Sequence, residues 1–180
     1  DVQQSAGLRG AVVPFDDEAG QEVYSEFRGR ILSFGFDDDA DIYPTELELT
    51  STGTRGRVVT PYGTLSLFLN VAGRHNVRNA LAAIGVAHLL EIEAIAVVEG
   101  LQRFSGVTGR FDAVPNEKGI QIYVDYAHTP DALRAAVQSL NGILMSAFSS
   151  TVRLWRCSIT VRCQKPLIAC HCVFISSVIW

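Results

Sequence analysis

Asp125, Tyr126 and His128 stand within four residues of one another in the segment VDYAHTPDAL, Val124 to Leu133. They bring a carboxylate, a phenol and an imidazole to one short stretch. The three residues after them account for a helix start. Thr129 can accept from a backbone N–H, Pro130 fits a first helical position that needs no N–H, and Asp131 suits the positive end of the helix dipole. A plain connector does not need the other three groups. An aspartate at the end of a strand can accept from ribose hydroxyls or hold the water shell of a metal. It can equally be a buried carboxylate that caps a turn, and this stretch alone leaves the two readings even.

A second constellation is GRHNVRNALAAIG, Gly73 to Gly85. Asn76 and Asn79 are three apart, so a helix places them on one face. A side-chain amide donates and accepts at once, which matches the N6 donor and N7 acceptor of adenine. His75 precedes them and can stack or hydrogen-bond. The plainer reading makes Asn76 the N-cap and Asn79 an exposed polar residue, since Asn is among the preferred caps. A third feature is Gly109-Arg110, between a helix and a strand, where a guanidinium can be aimed at phosphate or ribose oxygens.

Two groups resemble metal sites and are read otherwise. The run Asp37-Asp38-Asp39 with Asp41 lacks the alternate ligand positions and turn glycine of a Ca²⁺ loop, so it is expected to be a solvated loop. Cys157, Cys163, Cys170 and Cys172, with His171, are spaced x5, x6 and x1, which matches no C-x2-C pairing. No metal ligand is assigned from either group.

Elements that would position these residues follow from periodicity. Gly10 to Val13 and Arg30 to Phe34 read as strands, with a helix after Asp16-Asp17-Glu18 between them, as in α/β proteins. Residues 46–70 read as an antiparallel meander, with Leu65, Leu67 and Leu69 alternating against Ser66, Phe68 and Asn70. A helix is expected from Asn76, burying Val77, Ala80, Leu81, Ile84 and His88. Another is expected near Ile92 to Arg103, with Ile95, Val98 and Leu101 inward. Gly106 to Gly109 breaks the pattern. Strands Phe111 to Val114 and Ile120 to Val124 flank a turn, and a helix follows through Leu133, Val137 and Leu140.

Bulk composition excludes several classes. Of the 180 residues, 48% are hydrophobic, enough for a core, and the net charge of −4 argues against a general nucleic-acid binder. No stretch reaches the about 18 apolar residues that a membrane span needs. The chain starts at Asp1 without a signal pattern, which reads as a fragment or a processed chain. Composition changes near residue 140. Residues 1–140 carry all 19 acids and 11 of the 15 Lys and Arg, whereas residues 141–180 carry no acid and all four cysteines. That break is read as an atypical tail, from a shifted reading frame or a mis-joined end.

In the order AVV..DDE.G, GRHNVRNALAAIG, GVTGRFDAV, VDYAHTPDAL, the chain resembles the ATP-dependent Mur ligases of peptidoglycan precursor synthesis over about residues 10–140. The resemblance implies an α/β fold. It divides the chain into a partial central ATP-binding domain with an antiparallel meander at 1–106, the start of an α/β C-terminal domain at 107–140, and the tail at 141–180. It implies roles too: Asn76, paired with His75 or Asn79, at adenine, Arg110 reaching the nucleotide, Asp125 at the ribose or a hinge, and His128 shaping that loop. It further implies ATP and Mg²⁺ as cofactors. The partners would be a UDP-MurNAc dipeptide and an amino acid, lysine or diaminopimelate, joined through an acyl phosphate in the cytoplasm, with no nucleic acid and no membrane. The Mg²⁺ ligands have no counterpart here, and no G-x-x-x-x-G-K-[ST] phosphate loop occurs in the sequence. No catalytic residue is therefore assigned. The expectation is a piece of a ligase, inactive alone; the alternative is a non-catalytic remnant that binds adenine nucleotide or a partner weakly.

Overall fold

The computed structural model describes residues 10–115, 117, 121–148, 162–163 and 172–176. The chain forms two compact units. One comprises Asp1–Glu48, Thr54–Leu69 and His75–Phe104; the other comprises Leu49–Gly53, Asn70–Arg74 and Ser105–Trp180.

The first unit opens with strand β1 (Gly10–Pro14), helix α1 (Glu18–Glu26) and strand β2 (Arg30–Phe34). The strands pair in parallel, from Gly10 against Arg30 to Pro14 against Phe34. Parallel neighbours require a crossover, and α1 supplies it. Asp17 caps α1, its side chain accepting from the Gly20 N–H at 2.7 Å. Gly20 is needed there because a Cβ would overlap the carbonyl oxygen of Pro14. The expected strand, helix and strand are therefore all present.

The acidic run divides. Asp37, Asp38 and Asp39 are exposed, as a solvated loop requires, but Asp41 is half-buried. One Asp41 oxygen accepts from both the Ser33 N–H and the Ser33 hydroxyl at 2.8 Å. Asp41 is thus a fastener of β2 and departs from the expectation for that run. Spacing along the chain could not reveal this, because its partner lies on the adjacent strand. Burial, reinforced by the Asp41 carboxylate, raises the pKa of the Tyr24 phenol above its ordinary value.

Strands β3 (Tyr43–Leu49), β4 (Thr54–Thr60) and β5 (Gly63–Leu69) form a separate sheet in that order. β4 and β5 are antiparallel, from Thr54 against Leu69 to Thr60 against Gly63. The tight turn between them is closed by Thr60, whose hydroxyl donates to the Gly63 carbonyl at 2.8 Å and accepts from the Tyr62 N–H at 3.1 Å. The alternation read from the sequence holds: Leu67 and Leu69 are buried, while Ser66 and Phe68 are exposed.

Helix α2 (Arg74–Leu89) buries Val77, Ala80, Leu81, Ile84 and Gly85. It begins two residues before the expected start, so Asn76 lies within its first turn and is not its cap. His88 is half-buried, with the Tyr62 ring meeting it edge-on at 4.7 Å. Helix α3 (Ala94–Arg103) packs on β5. Its covered face is Ala94, Val97, Val98 and Leu101, at helical spacing. Ile95, expected inward, is 68% exposed. It sits two positions before Val97, hence on the opposite side of a 3.6-residue period.

In the second unit, strand β6 (Asp112–Ala113) pairs antiparallel with β7 (Gln121–Asp125), and helix α4 (Pro130–Phe148) follows. Strands β8 (Arg162–Cys163) and β9 (Cys172–Ser176) complete a sheet of order β6-β7-β9-β8. The core gathers Ala72, Phe111, Tyr123, Ala136 and Leu140, with Leu133 and Val137 packed against it. The apolar face expected for α4 is therefore the buried one, and the helix continues across residue 140 to Phe148. Cys157, Cys170 and His171 lie outside the described residues, and Cys163 and Cys172 are described only as strand positions.

Two outcomes follow from this packing. Leu67→Ala should lower unfolding free energy by about 2–5 kcal/mol, whereas Phe68→Ala on the open face should stay within about 0.5 kcal/mol, read from urea unfolding of the chain. Burial also pushes the Tyr123 phenol up to about 12. A folded pKa above the unfolded one means stability is fully present below the ordinary phenol pKa of about 10 and is lost as pH rises towards about 12. Urea midpoints over that window should fall more steeply for the natural chain than for Tyr123→Phe.

Candidate functional site

The six residues expected at a nucleotide fall three to each unit. In the first unit, His75, Asn76 and Asn79 share the opening turns of α2. His75 and Asn76 are half-buried and Asn79 is exposed. The positive dipole end of a helix start suits polar or anionic ligands. The same turns hold a residue that sequence reasoning missed. The Arg78 guanidinium reaches Asp16 Oδ1 at 2.7 Å and Asp17 Oδ2 at 3.2 Å. This pair of contacts ties the start of α2 to the end of β1 and to the cap of α1. The unpaired double aspartate after a strand was the one available signal. Its partner is some 60 positions away, which no local pattern reports.

In the second unit, Asp125 ends β7 and both of its oxygens are engaged. Oδ2 accepts from the Phe111 N–H at 2.7 Å, and Oδ1 accepts from the Ala127 N–H at 2.7 Å. The carboxylate thus joins the turn that carries Arg110 to the loop that carries His128. That turn is tight: the Arg110 N–H donates to the Val107 carbonyl at 2.9 Å, and Gly109 has φ of 76°. A left-handed φ there favours glycine. Phe111 has φ of 50°, in a region that β-carbon-bearing residues seldom occupy. It is buried and stacked on Tyr123 at 4.6 Å, with the Tyr123 hydroxyl donating to the Ser51 carbonyl at 3.0 Å.

The Arg110 guanidinium lies over the Tyr126 ring, 5.6 Å from its centroid. The His128 ring meets Tyr126 edge-on at 5.7 Å, and His128 Nδ1 is 2.9 Å from the Tyr126 carbonyl oxygen. The helix after this loop starts as its residues require. The Ala132 N–H donates to the Thr129 hydroxyl at 3.3 Å, and Pro130 takes the first helical position. Arg110, Asp125 and His128 are therefore brought together, around a tyrosine that had no assigned role.

Among the described residues, no three His, Cys, Asp or Glu side chains converge into a group that could hold a metal ion. Asp16 and Asp17, adjacent carboxylates at a strand end, are bound by Arg78. The described residues therefore do not fit a Mg²⁺ site of their own.

Asp125→Asn should leave one of two N–H groups without its acceptor, because an amide nitrogen cannot accept. Urea unfolding should show a loss of about 1–3 kcal/mol. An unchanged midpoint would mean that the carboxylate does not hold the two segments.

Two family descriptions match the sequence: Mur ligase middle domain over residues 3–87, and Mur ligase, glutamate ligase domain over residues 109–148. The chain is 37% identical over 144 residues to a UDP-N-acetylmuramoyl-L-alanyl-D-glutamate–2,6-diaminopimelate ligase of Clostridioides difficile, covering 76% of this chain and 30% of that protein. A ligase of the same name from Gloeobacter violaceus is 37% identical over 130 residues, covering 72% and 26%. Among solved structures, MurF from Acinetobacter baumannii superimposes with a TM-score of 0.64 at 31% identity, over 73% of this chain and 29% of that one. The chain thus spans under a third of the length of the curated relatives it matches. Two domain matches in chain order, with residues 88–108 between them, and a shared fold lead to one conclusion: the chain belongs to the Mur ligase family.

Proposed function

We propose that this chain is part of an ATP-dependent carboxylate–amine ligase of peptidoglycan precursor synthesis. Residues 1–106 are read as part of the ATP-binding middle domain, residues 107–140 as the opening of the C-terminal domain, and 141–180 as an atypical tail. The parent enzyme would phosphorylate the D-glutamyl carboxylate of UDP-MurNAc-L-Ala-D-Glu. The amine of a diamino acid would then attack the acyl phosphate, forming the amide and releasing phosphate. Diaminopimelate is favoured over lysine because the relatives at 37% identity are diaminopimelate ligases.

The observation that carries this reading is the pairing of two nucleotide-suited groups with the two family matches. The first is the amide pair Asn76 and Asn79, with His75, on the opening turns of α2 inside the middle-domain match. The second is the cation Arg110 beside Asp125 and His128 inside or at the edge of the C-terminal match. In this reading Asn76 and Asn79 take adenine by donating and accepting together, and Arg110 takes an anionic oxygen. Asp125 acts by holding its loop, since its oxygens already serve two N–H groups. ATP is the co-substrate. Mg²⁺ would come with it, on ligands that this chain does not supply.

A second reading is a chain that binds nucleotide without turning it over. The sequence favours it through the lack of a glycine-rich phosphate loop with its lysine. Calorimetry with a non-hydrolysable ATP analogue tests the nucleotide site shared by both. Weak binding to the chain should fall at least several-fold in the Asn76→Ala, Asn79→Ala double variant. A folded chain that gives no heat with the analogue would overturn the nucleotide assignment. Binding unchanged by the double variant would remove adenine from α2.

A further inference from the structure

Tyr126 has no part in the reading above, yet its ring lies against two exposed side chains of the second unit, Arg110 and His128. The Arg110 guanidinium carbon lies 5.6 Å from its ring centroid, within reach of a cation–π attraction. The His128 ring meets the same ring edge-on, at 5.7 Å and 81° between planes. His128 Nδ1 lies 2.9 Å from the Tyr126 carbonyl oxygen. A carbonyl oxygen can only accept. Nδ1 therefore carries the hydrogen in the neutral ring, and Nε2 carries the lone pair. The platform itself is held from behind, because Asp125 and Ala127, on either side of Tyr126, are joined by a 2.7 Å hydrogen bond.

We propose that Tyr126 is a positioning residue that holds Arg110 as a fixed cation and His128 as the Nδ1–H tautomer, so that the loop presents a cation and a hydrogen-bond acceptor together. A ligand that matches both carries an anionic oxygen and a hydroxyl or amino donor on one molecule. A nucleotide has both, in its phosphates and in its ribose hydroxyls. The identity of the ligand rests on the nucleotide reading; the tautomer and the ring platform do not. Arg110 and His128 are exposed long or rotatable side chains, and ordering them in advance lowers the entropy lost on binding.

The test uses the full chain labelled with ¹⁵N-histidine, with His128 assigned by comparison with His128→Gln. Long-range ¹H–¹⁵N correlation at about pH 8.5, above the ordinary imidazole pKa of about 6.5, reports which nitrogen is protonated. His128 should show the Nδ1–H pattern, although an unrestrained imidazole in water favours Nε2–H. Tyr126→Phe, which keeps the ring, should retain that pattern. Tyr126→Ala, and Tyr126→Leu should the alanine variant fail to fold, should move it towards Nε2–H. ADP should shift the Nε2 resonance of the natural chain, with affinity lowered several-fold by loss of the ring and restored in Tyr126→Phe. An Nε2–H pattern in the natural chain would overturn the proposal. So would ring-less variants that keep both the tautomer and the ADP affinity. A His128 that follows the tautomer predictions while ADP leaves it unmoved would support the platform and sink the nucleotide reading alone.

Discussion

The Asp125 carboxylate holds two backbone N–H groups at once, those of Phe111 and Ala127, each at 2.7 Å. Everything chemical in the second unit hangs from this link. Phe111 occupies a left-handed backbone region that costs a β-carbon-bearing residue about 1–2 kcal/mol. A hydrogen bond to a charged acceptor contributes about 1.5–3 kcal/mol, and the stack on Tyr123 adds to it, so the strained residue is stable where it is. The strain turns the chain sharply beside Arg110. The second oxygen curls the strand end so that Tyr126 lies under Arg110 and against His128. One carboxylate thus decides where a cation, a phenol and an imidazole stand.

The first unit has a looser counterpart. Asp17 caps α1 with one oxygen and meets Arg78 with the other, while Asp16 takes the shorter contact to the same guanidinium. Arg78 is more than a third exposed, so the ion pairs are worth little as stability. Their consequence is orientation: the opening turn of α2, with His75 and Asn76, is referenced to the end of β1. The close approach of Gly20 to Pro14 sets the other side of that corner. In both units an acidic group at a strand end is spent on holding backbone or a neighbouring helix. In the proposed function the groups assigned to a ligand are amides, imidazoles and a guanidinium.

That division of labour agrees with membership of the Mur ligase family. Ligation through an acyl phosphate needs a nucleotide held by several weak, well-placed polar contacts, and it needs phosphate charge to be neutralised. The chain carries candidates for the first task on α2 and on the Arg110 loop. It carries no glycine-rich phosphate loop with a lysine for the second. The chain spans under a third of the length of the relatives it matches.

Much of this was legible in the sequence. Period-two alternation at Leu65, Leu67 and Leu69, the 3.6-residue spacing of Val77, Ala80, Leu81 and Ile84, and the Thr129-Pro130-Asp131 helix start each report on neighbours a few residues away. Local spacing determines them, and they stand as read. The turn glycine at 109 and the four motifs in their order were legible for the same reason. Ile95 was not, because a short helix with apolar residues on two sides can bury either, and packing on β5 chose Val97. Asp41 was read as solvated because its partner, Ser33, lies on a neighbouring strand. Arg78 and Asp16, Phe111 and Asp125, and Arg110 and Tyr126 are separated by 14 to about 60 positions, and such distances leave no periodic trace. The sequence by itself determined the elements and the chemical inventory. Only the tertiary structure decided which carboxylates hold backbone and which side chains meet across the chain, because hydrogen bonds and ring contacts depend on ångström-scale placement that chain order does not encode locally.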